Sequence, residues 1–314
     1  MHTHDTLQRR NRYRPSSTDK RVTLKDRDRV WLEFIARHGP QPSHFLHAVT
    51  EKMHPSAKAT RMRLTDLASE TNTPHGEVYL VRPAAQQQID NARNKPLIYD
   101  LSEAGWDAIE KSRAETTRVS GPLRHQVMVA CTTASIELAC RERPNVSYIP
   151  ASQILGGVRS LGVDLAIEYS GRPQRHRLVP DQLFALAYRT PAGTHYRAFV
   201  VECDRATEPV TSPNPARKSY LRSFLEYRTF IGNNLYKAHY GLKSPLLVLN
   251  VMTSRQRQKQ FQLLVLRHAP QGNAYMLFKT VEAFGTSFTP DSVVTRFLFE
   301  PWERSGMDAI RLMA

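Results

Sequence analysis

Toward the N-terminus, apolar residues recur at helical spacing in three short runs before the pattern turns to strands. Val30, Trp31, Phe34 and Ile35 share one face of a helix, the spacing that buries a single stripe. Thr23-Leu-Lys-Asp26 reads as its start, a capping hydroxyl with an acid three residues on, and His38-Gly39-Pro40 as its end. A second helix from about Ser43 buries Phe45, Leu46 and Val49. A third, Pro55 to Ser69, turns Ala57, Thr60, Leu64, Leu67 and Ala68 inward. Its other side carries Lys58, Ala59 and Met62, flanked by Arg61 and Arg63. An apolar back and a small, basic front are what a helix needs to enter a major groove. Two strands follow, Glu77–Arg82 and Leu97–Asp100, around a polar stretch with Arg93 and Lys95, and Ser102 caps a last helix carrying Trp106 and Ile109. Three helices, a two-stranded wing and a closing helix predict a winged helix-turn-helix over 21–113, preceded by a basic flexible arm, 1–20, with Arg9, Arg10, Arg12 and Arg14. Lys58, Arg61, Arg63, Arg82, Arg93 and Lys95 are its expected DNA contacts.

The rest of the chain has another rhythm. A polar, Gly/Pro-terminated stretch, 112–122, reads as a linker. Leu123–Glu142 is apolar around much of its circumference, as for a helix packed on a sheet. Strands are predicted at 146–150, 163–169, 178–188 and 195–203, a long helix at 215–239, a strand at 245–251, a helix at 253–267 and a strand at 274–279. This order predicts an α/β domain with a central mixed sheet over 121–314.

Charge sharpens the picture. The formal net charge is +15. Residues 1–120 hold 20 basic and 15 acidic side chains and residues 121–314 hold 24 and 14, so both parts suit a polyanion. No apolar run is long enough for a membrane span, and the first twenty residues lack a signal-peptide core. Three cysteines, Cys131, Cys140 and Cys203, form no CxxC pair, which argues against a disulfide framework or zinc ribbon and for a cytoplasmic protein. There is no GxxxxGK[ST] loop for ATP and no His-apolar-His run near a tyrosine; a lone residue such as His125 reads as structural.

Acids are scarce in the second part, so their grouping carries information. Pro180-Asp181 opens one strand region, and Glu202 and Asp204 end the next, where the two-residue period puts them on one face and Cys203 on the other. Carboxylates at the ends of adjacent strands can hold a divalent metal for phosphodiester cleavage. The alternative is ion pairing of these acids with Lys218, Arg205 or Arg217, holding helix to sheet. Glu137 is a weaker candidate ligand, since acids on helices are usually solvated.

Pro180-Asp181 and Glu202 resemble the PD-(D/E)XK nuclease pattern, which implies a restriction-endonuclease-like domain. Asp204 fills that pattern's usual lysine position, and Lys218 is the relocated substitute. The resemblance implies Asp181, Glu202 and Lys218 as catalytic residues, and Asp181, Glu202 and Asp204 as ligands of Mg²⁺ or Mn²⁺. Tyr99-Asp-Leu-Ser-Glu-Ala-Gly105 is similar to the Y-x-L-T-x-x-G ending of many bacterial winged-helix proteins. A broader resemblance rests on PDQLFAL (180–186), FVVECDRATEP (199–209) and RKSYLRSFLEYR (217–228). These are similar to the plasmid replication-relaxation family, whose members pair a winged helix with an E-x-D-x-x-T-E domain. That resemblance implies a double-stranded DNA binder acting in replication or conjugative mobilisation of plasmids and integrative elements, alone or beside a separate relaxase or replication protein. Arg217 and Arg222 would meet phosphate, and a homodimer is expected if the site is an inverted repeat. Two alternatives stay open: a metal-dependent nicking enzyme and a winged-helix transcription regulator.

Overall fold

The computed structural model describes residues 12–88, 95–111, 117–156, 159–284 and 293–313. The chain divides into two compact units, 1–134 with 287–293 and 135–286 with 294–314.

The first unit is built from α1 (Asp26–His38), β1 (Gln41–Pro42), α2 (Ser43–Thr50), α3 (Ala57–Ser69), β2 (Leu80–Val81), β3 (Ile98–Leu101) and α4 (Glu103–Asp107). The N-cap of α1 is Lys25, later than the expected Thr23: Asp28 turns back to accept from the Lys25 N–H at 3.0 Å. Trp31, Phe34, Ile35, Phe45, Leu46, Leu64 and Leu67 form the core. The indole N–H of Trp31 donates to the Leu46 carbonyl at 2.6 Å, so this large ring is buried without an orphaned donor. β3 lies between β1 and β2, antiparallel to both. The expected strand from Glu77 contracts to two residues, and β1, too short to show a period, has no signature in the sequence. Gly105 follows from a close approach: a Cβ there would sit 2.2 Å from the Tyr79 carbonyl oxygen.

The second unit contains only the C-terminal end of α5 (Leu123–Cys140), residues 135–140, since the division falls within that helix. It continues with β4 (Val146–Pro150), α6 (Ala151–Leu155), the hairpin β5 (Val163–Tyr169) and β6 (Arg172–Leu178), then β7 (Gln182–Thr190) and β8 (Gly193–Asp204). After these come α7 (Tyr220–Gly232), α8 (Leu235–Tyr240), β9 (Leu246–Met252), α9 (Arg255–His268), β10 (Met276–Thr280), α10 (Arg296–Phe299), β11 (Trp302–Arg304) and β12 (Met307–Ile310). Seven strands form one mixed sheet in the order β12-β11-β10-β9-β8-β7-β4, with β9 parallel to β8 and β10. The expected 178–188 strand is two strands separated at Val179–Asp181, because Pro180 has no N–H to give a ladder. The expected 215–239 helix is also two, broken at Asn234, whose φ of 56° is left-handed.

One face of the sheet sets up the site. Ala198 and Val200 of β8 and Val248 of β9 share a buried core with Phe224, Tyr227 and Phe230 of α7 and with Phe261, Leu264 and Val265 of α9. Alternation along β8 carries that same face on to Glu202 and Asp204.

Candidate functional site

In the first unit, Lys58 and Arg61 are exposed on α3 beside Met62, whose side is 58% exposed. Arg63 turns the other way. Its guanidinium donates to Asp28 at 2.5 and 3.2 Å and to the Thr23 carbonyl at 2.7 Å, tying α3 to the start of α1. Arg82 is likewise engaged within the fold, donating to the Arg12 carbonyl, to Thr65 Oγ1 at 2.8 Å and to Tyr99 Oη at 3.1 Å. Arg12 in turn donates to the Lys95 carbonyl at 2.8 Å. Of the expected DNA contacts, Lys58 and Arg61 point outward, while Arg63 and Arg82 act as braces. Arg93, Arg9 and Arg10 lie outside the described residues.

In the second unit, the end of β8 and the residue before β7 bring two acids together. Asp181 donates its N–H to the Val201 carbonyl at 3.1 Å and accepts from the Cys203 N–H at 2.8 Å through Oδ2. It thus straddles the stretch of strand that carries Glu202. Glu202 accepts from the Tyr227 hydroxyl of α7, and its other oxygen lies 3.8 Å from Lys218 Nζ. Lys218 also reaches Glu208 at 3.3 Å. Burial pushes the Glu202 carboxyl up to about 8; the Lys218 ammonium opposes this and the Asp181 charge adds to it. Glu202 raises Lys218 in turn, so the ammonium holds its proton.

Asp204 shares the face of Glu202, as the strand period requires, but serves a different contact. It accepts from the Tyr220 hydroxyl and lies 3.8 Å from Arg257 Nε, whose guanidinium carbon stands 4.9 Å from the centre of the Tyr220 ring. The expected ligand set Asp181–Glu202–Asp204 is therefore not assembled. Asp204 is drawn to α7 and α9, and the cation beside Glu202 is Lys218. Among the described residues no group of three or more His, Cys, Asp or Glu side chains is disposed to hold a metal ion. Asp181 and Glu202 converge beside the Lys218 ammonium, while Asp204, one of whose oxygens is buried without a hydrogen-bond partner, stands further along the same face.

Arg222 is held by Glu226 at 2.7 Å and by the Ala216 carbonyl at 2.8 Å, so it braces the loop before α7, while Arg217 is exposed. Glu137 pairs with Arg141 one turn on at 2.7 Å. Glu208 is the closing acid of the E-x-D-x-x-T-E signature, whereas Tyr220 and Tyr227, within RKSYLRSFLEYR, and Arg257 carry no motif role in the sequence. Tyr220 and Tyr227 stand about two helical turns apart, the same-face spacing, and that was their available signal.

An α/β unit with an acid–lysine cluster at the end of adjacent strands, joined to a small helical unit with a three-stranded sheet, is the class defined by these features. The family model described as replication-relaxation matches residues 32–246, about two thirds of the chain, and the chain belongs to that family. No curated protein and no solved structure matches it. Among the described residues no helix is long and apolar enough to cross a membrane.

Proposed function

We propose that this is a sequence-specific DNA-binding protein of a plasmid or integrative conjugative element, acting in replication or conjugative mobilisation. The first unit is a winged helix, and α3 is its recognition helix. The order α1-β1-α2-α3-β2-β3 supports that reading. The observation that carries it is the outward face of α3, where Lys58 and Arg61 are free of the ion pairs that hold Arg63. Cations on a helix that can lie in a groove supply phosphate contacts and register. The second unit adds basic surface that holds neighbouring DNA.

The second reading is a nicking enzyme on a nuclease-like fold, with Asp181, Glu202 and Lys218 as its catalytic residues. The convergence of these three favours it. Fluorescence anisotropy on duplex taken from beside the protein's own gene, paired with a nicking assay on the same supercoiled DNA, separates the two. Binding without divalent metal and no nick is the expected result. A Mg²⁺- or Mn²⁺-dependent nick that Asp181→Ala and Glu202→Ala abolish would establish the enzyme instead.

A further inference from the structure

The strand that carries the acids has a second feature at its other end. β8 outruns β9: its pairing with β9 begins at Ala198, leaving Gly193–Arg197 paired only with β7 on that side. Two open cavities flank this overhang, of about 480 and 700 Å³, and Tyr196 lines both. Arg159 and Lys243 line the first; Arg197, Arg304 and Arg311 line the second. Neither lining contains an acidic side chain. Tyr196 is 52% exposed and is the only exposed Phe, Tyr or Trp among the described residues.

The cations are partly pre-placed. The Arg159 guanidinium lies against Gly241, where a Cβ would come within 2.9 Å of it, so a larger residue would displace the arginine. Arg304 Nε donates to the Asp308 carbonyl at 2.6 Å, and Arg197 stands 5.7 Å from the Tyr188 ring centre. Both fix the stem of a guanidinium whose remaining donors are available to an anion. An exposed aromatic face beside cations suits a ligand with flat faces and a charged backbone.

We propose that this groove binds single-stranded DNA, with an unpaired base stacked on Tyr196 and the phosphates on either side met by Arg159 and Lys243 and by Arg197, Arg304 and Arg311. A duplex keeps its bases stacked on each other and has no free face for Tyr196. The cavities are concave and sized for a few nucleotides rather than a double helix. A basic track with an aromatic platform is the arrangement that holds unpaired strands without regard to sequence. The choice of DNA as the polyanion rests on the function proposed above; the groove and its chemistry do not. The duplex reader and this groove belong to different units and are separately testable.

The test uses the full chain and two probes, a fluorescein-labelled oligo-dT and the cognate duplex. Tyr196→Ala is expected to weaken oligo-dT binding on the order of tenfold, with Tyr196→Phe retaining it. The double variant Arg159→Ala/Lys243→Ala is expected to lower the salt slope on oligo-dT by about 0.7 per lost phosphate contact. All these side chains are at the surface, and an unchanged urea-unfolding midpoint reports that the variants are folded. Oligo-dT binding that is absent in the wild type, or unchanged in Tyr196→Ala, overturns the groove. Oligo-dT binding that depends on Tyr196 in a chain that ignores duplex supports the groove and sinks the duplex reader alone.

Discussion

Replacing Lys218 by methionine keeps the length of the side chain and removes the one ammonium that faces Glu202 and Glu208. The distances are 3.8 and 3.3 Å, Glu202 is mostly buried, and the lysine side chain is 49% exposed. A unit pair near 4 Å interacts by about 4 kcal/mol at a protein-surface dielectric and about 1 kcal/mol in water. Half exposure of the lysine moves the net coupling toward the lower bound, to about 1–2 kcal/mol. The pH dependence has a definite sign. The folded Glu202 carboxyl is raised to about 8, so the stability that comes from its protonation is present below the ordinary carboxyl range and is lost as pH rises through 8. Lys218 limits that loss. Lys218→Met should therefore cost more at pH 9, where Glu202 is charged, than at pH 6. Glu202→Gln should abolish most of the difference. Urea unfolding followed by Trp302, the only tryptophan after residue 134, would measure the cycle of single and double variants. A coupling that is negligible, or identical at the two pH values, would refute the idea that these groups form one electrostatic unit.

Two further outcomes follow from the first unit. Arg63→Ala leaves the Asp28 carboxylate buried and unpaired, so it should destabilise this unit by about 3 kcal/mol while the folded fraction keeps its duplex affinity; loss of affinity with unchanged stability would return Arg63 to the DNA face. Burial alone would raise the Glu70 carboxyl, but hydrogen bonds from Ser17, Thr18 and Ser69 overcome it and hold the group at about 2. The stability this confers is present above the ordinary glutamate range and is lost as pH falls through about 2. Acid titration of wild type and Glu70→Gln by circular dichroism should show that component only in the wild type.

Long amphipathic segments were readable from periodicity: α1, α2, α3 and α9 fall close to their expected spans, as do β4, β5 and β9. β6 was not, because Arg172–Leu178 is nearly all polar and its place depends on backbone pairing with β5. The C-terminal strands β11 and β12 are too short for a period to register. At the site, the shared face of Glu202 and Asp204 follows from strand alternation, and the nearness of Asp181 follows from the antiparallel register of β7 and β8. What alternation cannot supply is the partner that each carboxylate meets across the helix layer. Tyr227 and Lys218 take Glu202 while Tyr220 and Arg257 take Asp204, so the three acids diverge in role. In the same way, Arg61 and Arg63 flank the outward side of α3 in the sequence, yet only the fold brings Asp28 to Arg63.

The salt dependence of duplex binding is the most direct measurement of the proposed function. If Lys58 and Arg61 meet phosphates, each contact removed in Lys58→Ala/Arg61→Ala should flatten the slope of log affinity against log salt by about 0.9 and weaken binding at every sequence. A slope and affinity equal to those of the wild type would contradict the assignment of α3 as the helix that enters DNA.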